Sequence, residues 1–494
     1  MSALPVPATL APDDTGHLYL RVSSQVAELI EKGSLRPGEK VPSVRRLSAQ
    51  FQVSISTVVQ AYRLLENRGL IEARPQSGYY VRPRRWTPPP EPELCLKEPS
   101  VADLKVGDLI MQVVRDYQAG SLVRLGATCA TVGLHSPPAL HRALASVARR
   151  SAQRGVEPDS LAGRAAFRAQ VARHAVASGC ALSPGEIIAT SGATESVHLC
   201  LRAVCKPGDL IAIESPTFFG FLQLIESLGM RAVEIPTYPR DGVCLDALAF
   251  ALEQQDIKAC LFVLNFANPL GSCMPDDKKA RLVQMLAEKN VPLIENDIYG
   301  SLFFGKARPR SAKSFDRHGN VLLCDSFNKI LAPGYRVGWV APGRFQSKVE
   351  YLKFITTDAS ASLAQLAIAE FLANGSYEHH LRRLRRIYAA GIASMSEAVA
   401  HFFPAGTRLT RPAGGQLLWV ELPAEVDSLE LYRRALQERI AIAPGPIFSA
   451  KQKCRNFIRL NCGNPWSESI EAAIRKLGCL SHDILAATRR TASN

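Results

Sequence analysis

No stretch of this 494-residue chain approaches the ~18 consecutive apolar residues that a membrane-crossing helix requires, so no membrane span is expected. Its first residues, MSALPVPATLAPDD, lack the basic n-region and apolar core of a secretory signal peptide. The twelve cysteines show no CxxC and no Cys/His spacing of a zinc site, and the closest pairs are Cys200/Cys205 and Cys454/Cys462. In a chain long enough for a large core, that scatter predicts reduced thiols in a cytoplasmic protein, with neither a disulfide frame nor a bound metal. Acidic residues are the other deficit: 45 Asp and Glu stand against 59 Lys and Arg, a formal net charge of +14. The imbalance is concentrated, because residues 17–86 hold twelve Lys and Arg against five Asp and Glu. A basic segment on a nearly balanced chain points to a polyanionic partner, although a merely solvated face has the same composition.

What is present begins with helical spacing. LYLRVSSQVAELIEKG places Val22, Val26, Leu29 and Ile30 on one face, with Gly33 as its stop. SVRRLSAQF repeats the pattern with Val44, Leu47 and Phe51, and SISTVVQAYRLLENRG does so with Ile55, Val58, Val59, Tyr62 and Leu65 before Gly69. Ser54 is placed to cap this last helix, with Thr57 as its third residue. Two short helices joined by a tight turn make a helix-turn-helix. The following LIEARPQSGYYV alternates Ile71/Ala73 and Tyr79/Val81 about a Pro-Gln-Ser-Gly turn, which predicts a β-hairpin, or wing. PGEKVPSVRRLSAQFQVSISTVVQAYRLLENRGLIEARPQSGYYV resembles the winged-helix domain of the GntR regulators along its whole length. That resemblance implies double-stranded DNA as a partner. It puts Arg45 on the DNA backbone or base edges, Ser54, Ser56, Thr57 and Gln60 at the major groove, and Ser77 and Gly78 at the wing tip.

RPRRWTPPPEPELCLKEPS is rich in Pro and charge and reads as an extended linker. Beyond it, apolar runs (EIIAT, DLIAIE, ACLFVLNF, VPLIEND, NVLLCDSF) alternate with helical stretches and predict a parallel sheet in an α/β domain. No internal repeat is visible.

Short polar clusters close these runs. ATSGATESV (189–197) would open a helix whose Gly192, Ala193 and Thr194 aim backbone N–H groups at an anion. ESPTFFGF puts Phe218 after a strand, LNFANPLG puts Asn268 beside a turn, and IENDIYG ends a strand with Asp297 and Tyr299, two apart and so on one face. An acid on an apolar strand needs a partner. DSFNKILAPGYRVGW (325–339) carries Ser326, Lys329 and Arg336, and FIRLN (457–461) carries Arg459. Each piece alone is equally an ordinary turn, core aromatic or surface charge.

Their order resembles the fold-type I, class I aminotransferases, over roughly residues 105–480. The resemblance implies pyridoxal 5′-phosphate as cofactor, joined as an internal aldimine to Lys329. Asp297 would pair with the ring nitrogen and keep it protonated, Tyr299 and Asn268 would bond the ring oxygen, and Phe218 would stack on the ring. Gly192, Ala193, Thr194, Ser326 and Arg336 would hold the phosphate, and Arg459 would clamp a substrate carboxylate. Asn328 and Ile330 depart from the Ser and Thr that commonly flank the family's lysine, and LVRLGATCATVGLHSPP departs from the family's usual start.

The expected architecture is therefore multi-domain. A small α+β winged helix-turn-helix domain (17–82) is followed by a Pro-rich linker (83–104) and a large α/β fold-type I transferase domain with a mainly parallel sheet (105–490). Together these resemble the MocR family of bacterial regulators. The function expected is a homodimeric transcription factor that senses an amino acid, an amine or the cofactor itself. The alternative is an active aminotransferase, for a 2-aminoadipate-like or aromatic amino acid, with an accessory DNA-binding domain.

Overall fold

A computed structural model of the chain describes residues 18–31, 34–35, 38–75, 77–82, 88–102, 107–118, 122–127, 134, 137–150 and 160–493. Gly33, Gln76 of the expected wing turn, linker residues 83–87 and most of 128–136 lie outside the described residues. The chain divides into two compact units, 1–87 and 88–494.

In the first unit, α1 (Leu18–Glu31), α2 (Val44–Phe51) and α3 (Ile55–Asn67) enclose a core of Val22, Val26, Leu47, Phe51, Val58, Tyr62 and Leu65. Two serine caps start the helix-turn-helix: Ser43 Oγ accepts from Arg46 N at 3.3 Å and Ser54 Oγ from Thr57 N at 3.1 Å. Gln52 closes α2 with φ 54°, turning the chain sharply into α3. The wing pairs β1 (Ile71–Arg74) antiparallel with β2 (Gly78–Val81), Ile71 opposite Val81. One expectation fails. Ile55, assigned to the apolar stripe, is 53% exposed, because as the first residue of α3 it projects beyond the core that Val58, Tyr62 and Leu65 reach.

The second unit is built on a nine-stranded sheet. Its main path runs Ser100–Ala102, Arg231–Tyr238, Leu210–Ser215, Ile257–Phe262, Leu293–Asn296, Val321–Ser326, Gly338–Ala341, Ile188–Thr190. The five strands from Arg231–Tyr238 to Val321–Ser326 are parallel, and Gly338–Ala341 runs against both its neighbours. Successive residues along these strands enter different apolar clusters: Ile213, Leu261 and Ile294 one, Ala212, Cys260 and Leu293 the other. Both faces of the sheet are thus covered, which accounts for the unbroken apolar runs in the sequence. A four-stranded antiparallel sheet, centred on Leu417–Glu421 and Phe457–Asn461, belongs to the C-terminal part together with the long helices Ser376–Phe402 and Glu468–Ser493. No described helix is long and apolar enough to cross a membrane.

Two further expectations are corrected here. The segment 83–104 is not an extended linker throughout. Leu96 is buried, Pro90 O accepts from Leu409 N at 3.0 Å, and Ser100–Ala102 forms the edge strand beside Arg231–Tyr238. An exposed sheet edge is satisfied by whatever backbone can pair with it, and composition does not register that demand. The thiols are not all reduced either: Cys95 and Cys454, 359 residues apart, form a disulfide that ties this segment to the C-terminal part.

Glu214, at the end of the central strand Leu210–Ser215, is 1% exposed, and one of its carboxylate oxygens accepts from Val263 N at 2.8 Å. Burial pushes its carboxyl up to about 8. The folded chain then keeps a proton that the unfolded chain releases, so stability falls as pH rises from the ordinary carboxylate range to about 8. Glu214→Gln, which keeps an acceptor for Val263, is expected to flatten that fall by an amount on the order of a few kcal/mol in thermal unfolding scans between about pH 5 and about pH 9. Parallel curves for the variant and the parent would remove Glu214 as the titrating group.

Candidate functional site

The site lies where the parallel strands end, the place at which an open α/β sheet offers a crevice. Ile188–Thr190 leads through Ser191 and Gly192 into the helix Ala193–Val204. Gly192 is its N-cap, has φ 119°, and makes no side-chain cap bond. The first N–H groups of that helix are therefore available to an anion. A Cβ on Gly192 would come within 2.6 Å of Asn328 Nδ2 and 3.1 Å of Arg336 Nη2, so glycine is what lets the three groups meet. Arg336 itself adopts φ 53°, an uncommon value for a non-glycine residue, in the turn after Pro333–Tyr335.

A cavity of about 500 Å³ opens over this point. Of the residues singled out in the sequence, Ala193, Thr194, Phe218, Asn268, Tyr299, Ser326, Lys329 and Arg336 line it. Lys329 is half-buried, and Ser326 and Tyr299 are buried. Gly192 stands just behind Ala193. Phe218 begins the helix Phe219–Ser227 and packs edge-on to Phe221, with ring centroids 5.4 Å apart. Arg459 is not a wall residue. Fully buried on the strand Phe457–Asn461, it stands behind Asn268 and donates from Nη1 to Asn268 Oδ1 at 2.8 Å, and from Nη2 to Gly126 O. Because a guanidinium only donates, this bond fixes the Asn268 amide with its NH2 end turned from Arg459.

Asp297 is the correction. It is not among the cavity walls, and its carboxylate is taken by Arg308 Nη2 at 2.8 Å and Asn265 Nδ2 at 2.9 Å. A Cβ on Gly300 would lie 2.4 Å from Asp297 Oδ1, so the acid is folded beneath that turn. Its neighbour Glu295 points the same way, accepting from Ser311 Oγ and Ala312 N, each at 2.8 Å. The period-two argument that joins Asp297 to Tyr299 extends past the strand, which ends at Asn296. Tyr299 does line the cavity, and so do Asn296 and Ile298. Asn296 is 3% exposed, and its Oδ1 has no hydrogen-bond partner. Sequence reasoning misses Asn296, Asn328 and Gln223 as wall residues, and Arg308 as the partner that holds Asp297. Strand parity alone, counting Ile294 and Asn296 together against Glu295 and Asp297, carries the signal for the first.

In the winged-helix unit, Arg45, Ser54, Ser56, Gln60 and Gly78 are exposed, and Thr57 and Ser77 half-buried. Ser54 is committed to its cap and bonds the hydroxyls of Ser56 and Thr57 at 2.8 and 2.7 Å. Ser56 and Gln60 are therefore freer than Ser54 to face a groove. Ser77 Oγ pairs with Tyr80 OH at 2.6 Å, and Arg74 lies 4.4 Å over the Tyr80 ring, so the wing carries a cation held by an aromatic.

Two family descriptions match the chain: "Bacterial regulatory proteins, gntR family" over residues 18–81 and "Aminotransferase class I and II" over residues 136–477. The HTH-type transcriptional regulators YjiR and YdcR of Escherichia coli are similar end to end. YjiR is 40% identical over 93% of this chain and 98% of its own length, and YdcR 38% over 94% and 99%. Among solved structures, the α-aminoadipate aminotransferase LysN of Thermus thermophilus, complexed with N-(5′-phosphopyridoxyl)-L-leucine, superposes with a TM-score of 0.70 at 27% identity, over 78% of this chain and all of that one. The aminotransferases of this fold are pyridoxal-phosphate-dependent. With a gntR-type winged helix at one end and a class I aminotransferase unit at the other, the chain belongs to the MocR-type transcriptional regulators.

Proposed function

We propose that this regulator holds pyridoxal 5′-phosphate covalently on Lys329 and changes its DNA affinity when an amine, an amino acid or the cofactor itself occupies the same cavity. The observation that supports the reading most is the company Lys329 keeps. One enclosed space joins its amine to a helix N-terminus, an arginine and an aromatic wall.

Bound there, the cofactor supplies an aldehyde that bonds reversibly to primary amines and a ring able to draw electrons. The protein's part is holding and orienting. The N–H groups of Ala193 and Thr194, the Ser326 hydroxyl and the Arg336 guanidinium take the phosphate. Phe218 covers a ring face. Tyr299 and the Asn268 NH2 donate to the ring oxygen, and Arg459, bonded to Asn268 at 2.8 Å, holds that amide in place. Lys329 would supply the amine that this aldehyde bonds, a place an effector's amine would compete for. Regulation requires that the two occupancies differ in their preference between conformations of the chain. In a homodimer, two winged helices would read two half-sites.

Lys329→Ala is expected to abolish the borohydride-trapped covalent adduct, read by mass spectrometry, and the effector response in a DNA-binding assay, while leaving DNA binding itself. A response that survived the substitution would rule out sensing through this lysine. Gly192→Ala is expected to weaken pyridoxal 5′-phosphate by about tenfold or more in an absorbance titration, because the new methyl enters the space shared with Asn328 and Arg336. An unchanged affinity would move the phosphate elsewhere. Arg45→Ala is expected to lower DNA affinity and reduce the slope of log K against log salt by about one, with cofactor binding intact. No change in slope would take Arg45 out of the interface.

A further inference from the structure

The cavity described above carries cations and no compensating carboxylate. Among the described residues, its walls include Lys329 and Arg336 but neither Asp nor Glu. Three acids near these strand ends are turned away or buried. Asp297 is bound to Arg308 at 2.8 Å, and Glu295 is held by Ser311, Ala312 and Lys313 of the neighbouring loop. Asp325 is buried, and burial first and the Asp297 charge second push its carboxyl well above the usual range. In the place an acid would occupy, the strand presents Asn296, buried, with Oδ1 lacking a partner. The other wall residue with an orphaned amide oxygen, Asn328, sits against Gly192 and Arg336 and so belongs to the anion end. Once that end, the lysine and the ring-oxygen donors are assigned, Asn296 is the buried wall side chain with an unpartnered polar atom that is left for the remaining heteroatom of a pyridine ring.

We propose that Asn296 meets the ring nitrogen of the bound cofactor as a neutral amide, so that this chain holds the ring without the negative charge that would keep its nitrogen protonated. The inference rests on the reading that the cavity binds pyridoxal 5′-phosphate. An amide can turn either end to its partner, donating from Nδ2 to an unprotonated nitrogen. It carries no net charge to reward a proton on the ring, as a carboxylate would. A ring with an unprotonated nitrogen draws electrons weakly. Exchange of one amine for another at the aldehyde does not depend on that draw, whereas loss of a proton from the α-carbon of an amino acid does. The site is thereby biased toward recognising amines and against turning them over, which is what a sensor needs and an aminotransferase does not.

The test is the 15N resonance of ring-labelled pyridoxal 5′-phosphate bound to the full chain near neutral pH. For the parent and for Asn296→Ala the expected resonance is that of unprotonated pyridine, and for Asn296→Asp it shifts to the pyridinium range. A pyridinium resonance in the parent overturns the proposal, with no need for any variant to fold. So does an Asn296→Asp spectrum that matches the parent at full cofactor occupancy. If the parent shows no bound-cofactor resonance, and borohydride traps nothing on Lys329, the underlying reading of the cavity fails and this proposal goes with it.

Discussion

The ion pair between Asp297 and Arg308, 2.8 Å long with both side chains almost fully buried, determines which face of the strand Leu293–Asn296 meets the cavity. A charge buried to this degree needs its partner, and removing one member of such a pair commonly costs about 3–5 kcal/mol. With Asp297 drawn toward Arg308 and Asn265, and Glu295 toward the loop at Ser311, the pleat leaves Ile294 and Asn296 on the opposite side. Ile294 enters the larger apolar cluster, and Asn296, one step nearer the strand end, reaches the cavity. The character of the whole site follows. It is cationic at Lys329 and Arg336, amide-lined at Asn268, Asn296 and Asn328, and closed on one side by phenylalanines.

A second constraint operates at the other end of the cavity. The helix Ala193–Val204 begins at a glycine, with its first amides uncapped by any side chain, and Arg336 is held at φ 53° beside it. An uncapped helix start next to a strained arginine has unmet needs that an anion satisfies. Glu195 steadies the approach, accepting from Ser191 N and Thr357 Oγ1 while Lys353 lies 3.7 Å from it. The anion end and the amide end together suit a ligand with a phosphate at one side and a polar ring at the other, and Lys329 between them supplies the amine.

Much of this is legible in the amino-acid sequence. The winged helix is local: its caps, apolar stripes and turn residues lie within a few positions of one another, and among the described residues only Ile55 departs from its expected place. The parallel sheet shows as unbroken Ile, Val and Leu runs because both of its faces are buried. The cavity residues Ala193, Thr194, Phe218, Asn268, Tyr299, Ser326, Lys329 and Arg336 are readable because each sits at the end of a strand or the start of a helix, where turn chemistry is visible. What is not legible depends on distance or parity. Cys95 and Cys454 are 359 residues apart. The segment before residue 103 has the look of a linker because its composition does not reveal the sheet edge it completes.

The sequence by itself determined a basic winged helix, an α/β unit whose motif order resembles the class I aminotransferases, and a lysine set among strand-end and helix-start residues. Each of these follows from local propensity, periodicity or ordered motif spacing. Only the tertiary structure decided which of two adjacent residues, Asn296 or Asp297, faces the cavity. The choice turns on Arg308, eleven positions further along the chain, which draws the acid out of reach, and on where the strand stops.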